Sequence, residues 1–104
     1  MNELSRVAAW KVVDDLVTRV YRASSQVTDP ATRELLREAV LSLGPLMPLP
    51  VLLRRMEVVA ALLIAAVQTN ALSQELGETL RQAVAAGADS LRRLQAVPKP
   101  AATP

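Results

Sequence analysis

The twelve residues MEVVAALLIAAV, positions 56 to 67, hold one charge (Glu57) and no aromatic ring. A helix built from them is apolar on nearly every side, and such a helix has to be covered all round. The run is too short to cross a bilayer comfortably, and Arg54, Arg55 and Glu57 interrupt its beginning. A chain of 104 residues is one domain. Three partner helices inside one domain would still leave part of this helix wet. A neighbouring subunit is therefore expected to cover the rest, with Val59, Leu62, Leu63 and Ala66 including residues buried between subunits as well as within one.

The residues available for a core point the same way. Half of the chain is apolar (51%), yet it has no Phe, one Trp (Trp10) and one Tyr (Tyr21). A core of Leu, Val and Ala suits closely packed helices, and only three glycines interrupt the chain. The expected fold is all-α, an up-down-up-down antiparallel four-helix bundle with short connections.

Four helices follow from spacing and punctuation. The first is expected over about 2–25, with Leu4, Val7, Ala8, Val13, Leu16, Val17 and Val20 on one buried stripe. Asp29-Pro30 reads as an N-cap followed by proline at the first helical position. The second helix, about 30–43, should bury Leu35, Leu36, Ala39, Val40 and Leu43, and Gly44-Pro45 should end it with a left-handed cap. PLMPLP is expected to pack against the end of the bundle. The third helix spans about 51–69, after which Asn70 fits a left-handed cap and Ser73 the next N-cap. The fourth, about 74–96, places Leu76, Leu80, Val84, Gly87, Leu91 and Leu94 near heptad spacing, with close packing expected at Gly87. The tail, 97–104, is rich in Pro and Ala and is expected to be disordered.

Several kinds of chemistry are excluded by residue types. No Cys means no disulfide, thiolate ligand or thiol nucleophile, and no His removes the commonest general base and metal ligand. Asp14 and Asp15 are neighbours, so on a helix they point about 100° apart and cannot face one another. No catalytic residue, metal ligand or cofactor is expected. The N-terminus, with Glu3 early and no uninterrupted apolar core, is a poor signal peptide, so a cytoplasmic location is the default expectation.

The segment AAWKVVDDLVTRVYRAS resembles the W-K-x-x-x-x-L-x-x-x-V-Y opening of bacterial four-helix-bundle proteins. That group includes the large-subunit rRNA intervening-sequence proteins and the accessory variability proteins of diversity-generating retroelements. LLREAVLSLGP is similar to the R-R-A-A-x-S-I-P segment of that family, and MEVVAALLIAAVQTNALSQE to its E-x-x-x-x-L-L-I-A segment. PLMPLP stands where the family has S-N-I-A-E-G, and Arg37-Glu38 where it has Arg-Arg. The resemblance implies a non-enzymatic, ring-shaped homo-oligomer, typically a pentamer. In the retroelement branch it implies binding to a reverse transcriptase and to RNA or an RNA–DNA template complex, in support of mutagenic cDNA synthesis.

Ten of the twelve basic residues are Arg, which suits phosphate contacts but also follows from a GC-rich genome. Candidate nucleic-acid-binding residues are Arg19, Arg22, Arg33, Arg37, Arg92 and Arg93. Two readings stand side by side. One is a solvated face, with Arg33 and Arg37 paired to acids and Arg92 and Arg93 favoured by a helix C-terminus. In the other, a ring repeats a modest set: five copies of a +2 chain would carry +10, and multivalent phosphate binding becomes substantial. Trp10 and Tyr21 could stack on bases, although packing in the core or an interface is the expected use of both. Two functional classes result: a nucleic-acid-binding accessory subunit, or a purely protein-binding oligomeric scaffold.

Overall fold

The computed structural model describes residues 3–44 and 46–95. The tail expected to be disordered, 97–104, and the burial of Leu4 lie outside the described residues. Four helices follow in order: α1 (Glu3–Ala23), α2 (Pro30–Leu41), α3 (Leu49–Gln68) and α4 (Gln74–Gln95), with one 3-10 turn at Ser24–Gln26. No strand occurs among the described residues. Each helix packs on the next and α4 packs back on α1, while α1 and α3 make no close backbone approach, nor do α2 and α4.

The punctuation acts mostly as its chemistry dictates. The Asp29 carboxylate accepts from the Thr32 N–H at 3.0 Å, and Pro30 opens α2, where a missing amide hydrogen is no loss. Ser73 Oγ accepts from the Leu76 N–H at 3.2 Å. Asn70 takes φ 60°, the only positive-φ residue other than glycine among the described residues. The Ala71 and Leu72 N–H groups then both donate to the Ala66 carbonyl, which satisfies the open end of α3. Gly44 departs from expectation, because no described glycine has a positive φ. Instead α2 closes with Ser42 in a right-handed conformation, its N–H donating to the Glu38 carbonyl. α3 begins two residues earlier than expected: Pro48 is its N-cap, and Pro50 sits in a first turn that needs no donor.

One aliphatic core runs through the bundle. α1 contributes Ala9, Val13, Leu16 and Val20; α3 contributes Leu52, Met56, Val59, Leu63 and Ala66; α4 contributes Leu80, Val84, Ala88 and Leu91. The α1 stripe is rotated from its expected position, so Ala9 is inside and Val7 is exposed. In α2, Leu36 and Val40 are buried and Leu43 follows them in, but Leu35 is exposed. Leu35 and Leu36 point about 100° apart, and a helix with two neighbours buries only one of them. Of the proline-rich connector, Leu49 is buried and Met47 partly so, whereas Leu46 faces solvent.

Candidate functional site

The six candidate arginines divide into two groups. Arg33 Nε donates to the Val27 carbonyl at 3.2 Å, and Arg37 Nε donates to Ser24 Oγ at 2.8 Å. The Arg37 guanidinium also lies 5.2 Å from the centroid of the Tyr21 ring and 3.8 Å from the Glu34 carboxylate. Ser24 is fully buried, and its hydroxyl donates to the Tyr21 carbonyl. Arg33 and Arg37 therefore fasten the corner where α1 turns into α2. The sequence suggests acid partners for both, but their main partners are a carbonyl and a hydroxyl contributed by the turn. Arg19 pairs with Asp15 at 3.0 Å, and exposed Arg22 makes no ion pair among the described residues.

Arg92 and Arg93 belong elsewhere. The Thr28 N–H donates to the Ala71 carbonyl at 2.8 Å, so the α1–α2 connection touches the start of the α3–α4 connection. Arg92 lies eighteen residues, about 27 Å of helix, beyond Gln74 at the start of α4. It pairs with Asp89 at 3.1 Å, while Arg93 Nε reaches the Asp89 carbonyl at 3.4 Å. The candidate set thus forms two separate basic regions on one chain.

Val59, Leu63 and Ala66, expected among residues shared between subunits, have no exposed surface in the single chain. Val59 in particular is not an outward residue. Of the four candidates only Leu62 is partly exposed. The outer side of α3 carries Val51, Val58, Ala61, Ile64 and Ala65 instead. In a helix apolar all round, periodicity cannot say which side faces in. Only the neighbouring helices decide that.

The two aromatic residues are both at the surface: Trp10 is 54% exposed and Tyr21 is 42% exposed. Both lie on α1, at the ends of the W-K-x-x-x-x-L-x-x-x-V-Y pattern, whose Leu16 and Val20 point into the core. Sequence reasoning also missed Arg55, whose Nη1 donates to the Ser42 carbonyl at 3.2 Å and ties α3 to the end of α2. Arg81 grips Glu78 through Nε and Nη2, and this contact holds the Glu78 carboxyl below its ordinary range. A shallow groove of about 240 Å³ runs between α3 and α4, lined by Ala60, Ala85 and Ala88 together with Glu57, Asp89 and Arg92. Among the described residues no three carboxylates gather closely enough to hold a metal ion, and no helix is long and apolar enough to cross a membrane. No family model matches the chain, and comparisons with curated proteins and with solved structures gave no match.

Proposed function

We propose that this protein is a non-enzymatic accessory subunit: an antiparallel four-helix bundle that assembles with copies of itself and holds RNA or an RNA–DNA template complex for a reverse transcriptase. The observation that carries the reading is the exposure of both aromatic residues on α1 beside an aliphatic core. Rings left at the surface of so small a domain are interface residues in waiting, because aromatic side chains are enriched where proteins bind one another. They are also the end residues of the pattern in the first of the three segments that carry the resemblance to the family of the retroelement accessory proteins. The Thr28–Ala71 contact supports the antiparallel arrangement, since it joins the first and third connections at one end of the bundle.

The phosphate-binding part of the reading rests on Arg19, Arg22, Arg92 and Arg93, which are exposed, repeated by symmetry around an assembly. Light scattering on the purified chain, followed by binding of a structured RNA at two salt concentrations, tests it. The expected result is an oligomer whose RNA affinity falls steeply with salt, as counterion release requires. An oligomer that binds no RNA at low salt would favour the second reading, a purely protein-binding scaffold. That reading has its own support, because Arg33 and Arg37 are already committed to the α1–α2 corner.

A further inference from the structure

Two exposed stripes run along helices whose backbones make no close approach to each other. On α1, Val7, Trp10, Asp14, Val17 and Tyr21 recur at alternating intervals of three and four, which is one continuous line on a helix surface. Val17 is partly exposed and the other four are exposed. On α3, Val51, Arg54, Val58, Ala61 and Ala65 follow the same alternation, and all five are exposed. Each stripe is apolar apart from a single charge, and the two charges are opposite. Neither Asp14 nor Arg54 makes an ion pair or a side-chain hydrogen bond among the described residues.

We infer that the α1 stripe of one copy packs on the α3 stripe of a second copy, so that Asp14 meets the neighbour's basic position at 54. The inference rests on the reading of the protein as self-assembling and gives that assembly its contact surfaces. Size complementarity supports it when the two helices run parallel: Tyr21 lies seven residues after Asp14 and the small Ala61 seven after Arg54, so the Asp14–Arg54 register sets that ring on Ala61. Exposed Leu41 of α2 lies one turn beyond Arg37, whose guanidinium covers Tyr21 of the α1 stripe.

Charge decides between this arrangement and self-pairing of the α1 stripe. Asp14 is the middle residue of its stripe, so two α1 stripes crossing antiparallel would press one Asp14 against the other. Like charges placed across an interface disfavour the wrong partner. Pairing α1 with α3 removes that repulsion and replaces it with attraction. Because the stripes lie on different helices, the contact is head-to-tail, and such contacts propagate, closing into a ring where the rotation allows and extending as a filament where it does not.

A charge exchange tests this, read by light scattering at a concentration where the wild-type chain is assembled, with circular dichroism to confirm folding. Asp14→Arg and Arg54→Asp should each weaken assembly at least tenfold, since each puts like charges together in the contact. The double exchange should restore assembly. An equimolar mixture of Trp10→Glu and Val58→Glu chains, each monomeric alone, should stop at a heterodimer, because each retains one intact stripe. Assembly unaffected by both single exchanges overturns this interface while leaving self-assembly standing. A monomeric wild-type chain overturns self-assembly and the interface together.

Discussion

Gly77 of α4 leaves open the space that Val67 of α3 fills: a Cβ built on Gly77 would overlap Val67 Cγ2. This is where α3 and α4 come closest at a glycine, one turn into α4 and near the Asn70 cap. Gly87, where close packing is expected from the sequence, is different. A Cβ there would meet Met56 Cε at 3.4 Å and Val12 Cγ1 at 3.5 Å, which are ordinary contacts.

The two glycines should therefore respond oppositely to alanine. Gly77→Ala should destabilise the protein by about 1–3 kcal/mol through overpacking, and adding Val67→Ala should recover part of the loss. Gly87→Ala should be neutral or stabilising by up to about 1 kcal/mol, because the helix gains propensity without a clash. Urea denaturation of the three variants checks this, and equal effects at both glycines would contradict it.

Arg37 is predicted to matter for folding before it matters for any ligand. Arg37→Gln removes the bond to Ser24 Oγ and the contact with the Tyr21 ring, and should cost about 1–2 kcal/mol. Arg22→Gln, at an exposed position, should change stability by less than about 0.5 kcal/mol. Thermal melts of the two variants separate the roles. A loss of RNA binding on Arg37→Gln with no change in melting would assign that side chain to the ligand instead.

Asn70 holds the left-handed cap between α3 and α4 at φ 60°. Asn70→Ala should cost about 1 kcal/mol or more, since a side chain with no polar group to bond the local backbone is strained in the left-handed conformation. Asn70→Gly should be tolerated without loss. Denaturation midpoints of both variants decide the matter.

The acid limb of the stability curve should carry a signature of Asp29. Bonds from the Thr32 hydroxyl and N–H, aided by the charge of Arg33, hold the Asp29 carboxyl below its ordinary value. A carboxyl whose folded pKa lies below its unfolded one contributes fully above the ordinary aspartate range. That contribution is lost as pH falls through the folded value. Glu78, held low by Arg81, acts with the same sign. NMR titration should place the Asp29 carboxyl below that of an unstructured aspartate, and Asp29→Asn should flatten the decline of stability in acid. An unchanged acid decline in that variant would remove Asp29 from its causes.

Local chemistry is what one chain can state by itself, and here it determined the number and order of helices, the caps at Asp29, Asn70 and Ser73, and an aliphatic core. Each of these follows from interactions within a few residues, such as a carboxylate three positions before an amide or apolar spacing around a helix. Which way each helix turns was decided by the tertiary structure. Leu35 and Val7 face out, Ala9 and Val59 face in, and Gly77 rather than Gly87 marks the close approach, because burial depends on where neighbouring helices lie. The same reason governs the candidate site. An arginine's residue type announces its charge, but only packing showed that Arg33 and Arg37 spend their donors on Val27 and Ser24 at the α1–α2 corner. Packing also left Trp10 and Tyr21 in the open, since the core is filled by smaller aliphatic side chains that helices at close quarters accommodate better.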